Sequence, residues 1–413
     1  MKNRVLNKID EHRADIIRIG ETVLKTPELG FKEYKTSALV KEEFEKLGIT
    51  YTDGLAITGV KGSVGNPDAK VNICIIGELD AVKCFGHPTA DAETGAAHAC
   101  GHNAQIASML GAAYGLVKSG VLRELDGRVT FLAVPAEELV ELEFRQQLKA
   151  DGKISYLAGK QELIHLGAFD DVDIAMMIHS QAGYERPEVF LGGTSLGLVA
   201  KNINFYGKAA HGSAPFEGIN ALNAAMIALM SINANRETFR DEDKIRIHPI
   251  ITNGGDLVNV IPATARIETY VRGARKEPML EACRKVDNAV KAGAIAIGAD
   301  YEIEDIAGYL PLMQDTALTE ILDSNVRSII GEDFARYGLN MTGSTDMGDL
   351  SEIMPCIHPT MGGFAGTAHG VDFKVTDPEA AYVLPAKLLA ATVCDLLANG
   401  CEKALAIKNS FKK

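Results

Sequence analysis

Cys100 and His102 stand two residues apart in His98-Ala99-Cys100-Gly101-His102-Asn103, at the entry to an apolar helical run. A thiolate and an imidazole are suited to zinc and similar divalent ions. Glu137 and Glu138 close an apolar strand, and isolated histidines follow at His179, His211 and His369. Each feature alone has an ordinary explanation. A lone Cys packs as a small hydrophobe, a lone His is a satisfied structural side chain, and adjacent glutamates make a solvated turn. Together, a thiol, imidazoles and carboxylates at the ends of apolar segments point to metal-dependent hydrolysis.

An extended backbone through Cys100–His102 would aim both side chains the same way. A helix beginning near Asn103 would lower the thiol pKa through its N-terminal dipole. Neighbouring side chains at a strand end diverge. Glu137 and Glu138 can therefore divide the work, one carboxylate on metal and the other facing substrate as proton shuttle. His179 closes another strand, and His369 lies in the flexible Gly366-Thr367-Ala368-His369-Gly370 loop. His211, in Gly207-Lys208-Ala209-Ala210-His211-Gly212-Ser213, suits a substrate or oxyanion contact better than a ligand. Asn259, before Val260-Ile261-Pro262, and Arg272 read either as a turn and a strand-end charge, or as a carbonyl donor and a carboxylate clamp. His12, His87, His165, His248 and His358 are expected to be structural or surface residues, and His98 at most supports a ligand. A thiol nucleophile at Cys100 is the rival chemistry, but it leaves Glu138, His179 and His369 unexplained. No phosphate loop, dinucleotide fingerprint or nucleophile elbow is present.

The elements that must position these residues are legible as alternating apolar segments. Residues 4–48 read as two helices flanking Thr26-Pro27-Glu28-Leu29-Gly30. Strands are expected at Val71–Ile76, Arg128–Val134 and Asp173–Ile178, and a small-residue helix at Ala104–Leu116. Residues 195–306 then change character, to strand, helix, two strands, helix and strand. That is the ferredoxin-like order. A long helix closes the chain. The expected architecture is α/β: a mixed-sheet domain of residues 1–194 and 307–413, carrying an inserted ferredoxin-like α+β domain at 195–306.

The 413 residues are enough for two domains and a large core. A net charge of −13 argues against a nucleic-acid or anionic-membrane surface. No uninterrupted apolar run approaches the roughly 18–20 residues of a membrane span. The N-terminus leads into a charged helix without an apolar signal core, and seven cysteines show no framework spacing. A reducing cytoplasm is the expectation.

These motifs together resemble the dinuclear-metal amidohydrolase and carboxypeptidase superfamily, which includes aminoacylases, carboxypeptidase G and the auxin-conjugate and hippurate hydrolases. The resemblance runs from Pro27-Glu28-Leu29-Gly30-Phe31 to the C-terminal helix. HACGHN with Asn103, Gly218-Ile219-Asn220-Ala221-Leu222 and Gly343-Ser344-Thr345-Asp346-Met347-Gly348-Asp349 look closer to the p-aminobenzoyl-glutamate hydrolase and β-alanyl-dipeptidase branch. The resemblance implies metal ligands at Cys100, His102, Glu138, His179 and His369, with Cys100 where many relatives carry a bridging Asp. Glu137 is similar to the family's general acid/base. His211 resembles a histidine that reaches across a dimer, and Asn259 and Arg272 match a pair holding the substrate carbonyl and carboxylate. The implied cofactors are two divalent ions, zinc or manganese. The implied substrate is a small N-acyl amino acid or dipeptide, and the inserted domain is implied to be a lid and homodimer contact. An aminoacylase, an exopeptidase on other peptides and a non-catalytic ligand-binding homologue are the alternatives. The chain departs from the pattern in a long Lys83–Ala97 loop, in a charged insertion at about Leu139–Gln161, in Val82-Lys83 where Leu-Pro is usual, and in Ser180 where proline is common.

Overall fold

The structure, a computed structural model, describes residues 1–411. The chain divides into two compact units. The first comprises Met1–Gly193, Met313–Asn340 and Asp349 onwards, and the second Thr194–Leu312 and Met341–Gly348.

The first unit is built on a six-stranded sheet. Its strands are β1 (Tyr51–Leu55), β2 (Gly59–Gly65), β3 (Asn72–Glu78), β4 (Arg128–Val134), β5 (Ile174–Met176) and, late in the chain, Cys356–Ile357. The spatial order is β1-β2-β4-β3-β5 followed by the Cys356–Ile357 strand. β1, β2 and β4 pair antiparallel, whereas β3 lies parallel to both β4 and β5. The sheet is therefore mixed, as expected. Every residue of β3 is buried, consistent with a parallel strand covered on both faces.

Helices α1 (Lys2–Glu11), α2 (Arg13–Lys25), α3 (Tyr34–Leu47) and α4 (His102–Lys118) follow from the predicted periodicities. The first helical stretch differs from expectation in breaking at His12, whose ring lies 4.7 Å from that of Tyr114. Helix α4 is buried from His102 to Leu116; its small residues let α1, α2 and the C-terminal helix approach closely. Gly111 and Gly115, for example, leave no room for a Cβ against Ala386 and Ile9. The stretch Glu379–Ser410 is long and apolar enough to cross a membrane, yet 83% of its most apolar window is buried within the protein. The C-terminal helix is interrupted at Ala398–Cys401. The charged insertion folds into α5 (Leu142–Ala150) and α6 (Gly159–His165).

The second unit has β6 (Gly197–Tyr206), α7 (Ala221–Ala234), β7 (Arg246–Asn253), β8 (Thr264–Gly273), α8 (Lys276–Ile297) and β9 (Asp300–Tyr309). Their sheet order is β7-β8-β6-β9, all antiparallel. This is the ferredoxin-like arrangement read from the sequence. Ile203, Phe205, Ala224, Ala228, Ile267 and Val290 supply its separate core.

Candidate active site

Six of the sequence-selected residues converge in the first unit. Cys100, His102 and His179 offer ligand atoms that all lie within 4.8 Å of one another, and so do Cys100, Glu138 and His369. Cys100 is common to both sets. Each triad would offer a divalent ion a thiolate together with imidazole or carboxylate donors. Glu137, with Glu78 and His102, forms a third group of the same compactness in which every member is buried.

Local structure explains how each side chain is aimed. The Cys100–His102 spacing does not work through an extended backbone, as the sequence suggested. Gly101 adopts a left-handed conformation (φ +85°) as the N-cap residue, and His102 is already the first helical residue. His102 Nδ1 lies 2.8 Å from the Asp80 carbonyl oxygen, to which it donates, so Nε2 is the nitrogen free to meet an ion. That buried Nε2 has no hydrogen-bond partner. It is 3.0 Å from Glu78 Oε2, but the approach lacks hydrogen-bond geometry, so the nitrogen stays available for an ion. His179 Nδ1 is likewise engaged by the Ser180 carbonyl at 2.9 Å, and its Nε2 faces Cys100 Sγ at 3.5 Å. Ser180 Oγ donates to the Cys100 carbonyl at 2.6 Å.

The glutamate pair sits where β4 ends, after Ala136, a non-glycine residue at φ +55°. The Glu138 backbone N–H donates to Asp80 Oδ2 at 2.9 Å, and Glu138 Oε1 lies 3.0 Å from His369 Nε2. His369 is also left-handed (φ +62°). Its loop is held at both backbone ends: the His369 N–H donates to the Ala99 carbonyl at 2.8 Å, and Cys84 Sγ donates to the His369 carbonyl. The long Lys83–Ala97 loop thus anchors a candidate ligand.

The electrostatics match this donor set. Burial and Glu138 push the Cys100 thiol up, but His179 and His102 more than offset them and bring it to about 6. The neighbouring imidazoles therefore activate the thiol that the sequence assigned to a helix dipole. Burial opposes the charged form of Glu138, yet His369 holds its carboxyl down at about 2. Cys100 and Glu138 raise His369 to about 11. The groups that would hold ions are thiolate, carboxylate and imidazole. Their chemistry, together with the orphaned His102 Nε2, fits divalent cations.

Other histidines lie near the site without joining it. His358 is buried with its ring 5.3 Å from that of His179, where a structural or surface position was expected. Both nitrogens of His358 and of His98 lack partners, and burial pushes each ring down to about 3. His211, Asn259 and Arg272 belong to the second unit. His211 Nδ1 lies 2.7 Å from Ser213 Oγ, and the Gly212 N–H donates to the Asn259 carbonyl at 2.7 Å. Arg272 donates to Ser344 Oγ at 2.8 Å.

Sequence reasoning missed the groups beneath the glutamates. Buried Glu33 accepts from the Ala136 N–H at 2.8 Å and from Thr58 Oγ1 at 2.6 Å. Buried Lys160 pairs with Glu78 at 2.5 Å, and Gln105 donates to the other Glu78 oxygen at 2.8 Å. The legible signal was an acidic residue ending an otherwise apolar strand.

Residues 74–395 match the family model described as Peptidase family M20/M25/M40. A mouse Xaa-Arg dipeptidase is 27% identical over 378 residues, spanning 87% of this chain and 79% of the relative. A putative aminohydrolase from methicillin-resistant Staphylococcus aureus superposes with a TM-score of 0.82 at 21% identity, covering 96% of this chain and all of the other. A Bacillus subtilis protein described as a dinuclear metal binding peptidase superposes at 0.71 with 20% identity, covering 94% and 99%. At these identities the two structures establish the fold.

Proposed function

The chain belongs to peptidase family M20/M25/M40 and is a hydrolase of amide or peptide bonds; from that premise we propose that it cleaves small dipeptides or N-acyl amino acids using two divalent ions. The observation that carries this reading is Cys100, shared by the His102–His179 and Glu138–His369 ligand sets, with Glu137 beside them. When bound, the ions supply Lewis-acid polarisation and acidify a water at neutral pH. Glu137 takes the proton from the attacking water and delivers it to the leaving amine. Thiolate and imidazole donors favour zinc, and manganese is the alternative.

His211, Asn259 and Arg272 are proposed substrate contacts from the second unit, His211 to the developing oxyanion and Arg272 to a carboxylate. A donor of the first kind contributes about 10²–10³ in rate. Homodimerisation through the second unit is part of the same proposal. Supporting it are Ile250 and Ile251 on edge strand β7, with Leu257 and Val258 following, all exposed. Sedimentation analysis tests it, and a monomer would remove it. Seven free cysteines support a reducing compartment.

The test is amino-acid release from a panel of Xaa-Arg dipeptides, β-alanyl dipeptides, N-acetyl amino acids, hippurate and p-aminobenzoyl-glutamate, before and after chelation and metal return. Metal-dependent cleavage of a dipeptide or N-acyl member supports the proposal and ranks the substrates. Cleavage that survives chelation overturns the two-ion reading.

A further inference from the structure

The insertion Leu139–Gln161 places a fully buried arginine behind the glutamate pair. Arg145, on α5, is 0% exposed. Its Nη1 donates to the carbonyls of Ala136 at 3.1 Å and Leu157 at 2.7 Å, and its Nη2 donates to the carbonyl of Glu138. No carboxylate pairs with it among the described residues, and its Nε has no partner. The guanidinium lies over the Phe31 ring, 5.3 Å from the centroid. A Cβ at Gly30 would collide with Nη2 and with Ala136, so the Leu29-Gly30-Phe31 motif makes the room this side chain occupies.

Burying a guanidinium without a counter-ion is costly, and the fold spends it on two carbonyls that flank Glu137. Those carbonyls belong to a strained turn. Ala136 is left-handed, a conformation unfavourable for a non-glycine residue that persists only where the surroundings over-determine it. Three groups do so here: Glu33 on the Ala136 N–H, the Gly159 N–H on the Ala136 carbonyl at 3.1 Å, and Arg145 bridging Ala136 to Glu138. A planar fork fixes two carbonyls at once, which a lysine ammonium cannot reproduce in the same geometry.

We infer that Arg145 is a positioning residue that sets the Glu137 and Glu138 carboxylates through the backbone turn carrying them, and that this is the function of the inserted α5 segment. The inference rests on the proposed roles of those two glutamates. Arg145 touches no substrate; it acts by fixing where the proton shuttle and one ligand point.

The experiment compares Arg145→Met, Arg145→Lys and Glu137→Gln in the full chain, loaded with cobalt(II) and assayed on the best panel substrate. Expected for Arg145→Met is a kcat loss of about 10–100-fold with KM changed little, cobalt held about tenfold more weakly, and an altered cobalt absorption spectrum. Arg145→Lys keeps the charge and most of the volume but only part of the fork, and is expected to fall between the two. If Arg145→Met does not fold, Arg145→Lys is read by the same criteria. Wild-type cobalt affinity and spectrum in the folded variant overturn the inference, as does an activity loss that only follows the folded fraction. Glu137→Gln separates the two levels. If it turns over like the parent, the assignment of the shuttle fails, while the cobalt spectrum of Arg145→Met still decides whether Arg145 sets Glu138.

Discussion

Cys100 Sγ lies 3.5 Å from His179 Nε2 and also belongs to the ligand group of Glu138 and His369. A shared ligand and an unshared one must differ in what their loss removes. Cys100→Ala is expected to bind neither ion firmly, whereas His369→Ala should lose one and keep the other on Cys100, His102 and His179. Elemental analysis after dialysis measures the stoichiometry. Equal metal content in the two variants would mean that the thiol is not common to both positions.

Glu137 is buried beside His102 and Glu78, while Glu138 holds His369. If Glu137 moves the proton and does not hold an ion, Glu137→Ala should keep its metal and lose about 10²–10⁴-fold in kcat, the range of general acid–base catalysis. Steady-state kinetics with metal analysis on the same sample checks both halves. Turnover comparable to the parent would sink the role.

The candidate ligands were legible because their residue types are uncommon at the ends of apolar segments, and the second unit because its periods switch cleanly between strand and helix. The supporting groups were not. Glu33 meets Ala136 across 103 residues and Lys160 meets Glu78 across 82, and no local pattern announces such partners. Arg145 pairs with carbonyls, which carry no sequence signal at all. The β1–β2 hairpin was hidden by glycines at 54, 59, 62 and 65, which dilute the alternation. Ser180, noted only as a departure, proves to hold the Cys100 carbonyl.

Glu33 gives a pH dependence separate from metal binding. Burial, and then Asp80, raise its carboxyl from 4.5 to about 8, so the neutral acid is the form the fold favours. A group raised in the folded state contributes its full stabilisation below the unfolded value and loses it as pH rises through the folded one. The contribution is therefore present below 4.5 and lost towards 8. Glu33→Gln can still accept from the Ala136 N–H and face Thr58 with its amide, and it has no proton to lose. Denaturation midpoints of the metal-free proteins should fall with pH across this window more steeply in the parent than in the variant. Parallel curves would show that Glu33 is not held neutral.

Lys160 and Glu78 are both essentially unexposed and 2.5 Å apart. Burial opposes the charged form of Glu78, yet Lys160 and then His102 keep its carboxyl far below the usual range. Removing one member of a buried pair leaves the other charged and uncompensated, at about 3–5 kcal/mol, whereas removing both charges costs much less. Lys160→Met should therefore lower the denaturation midpoint of the metal-free protein sharply. Adding Glu78→Gln to it should recover a large part of the loss, a positive coupling that a double-mutant cycle isolates. Additive losses would mean that Lys160 stabilises this unit through its packing and its other contacts, with Glu78 compensated by the neighbouring His102 and Gln105.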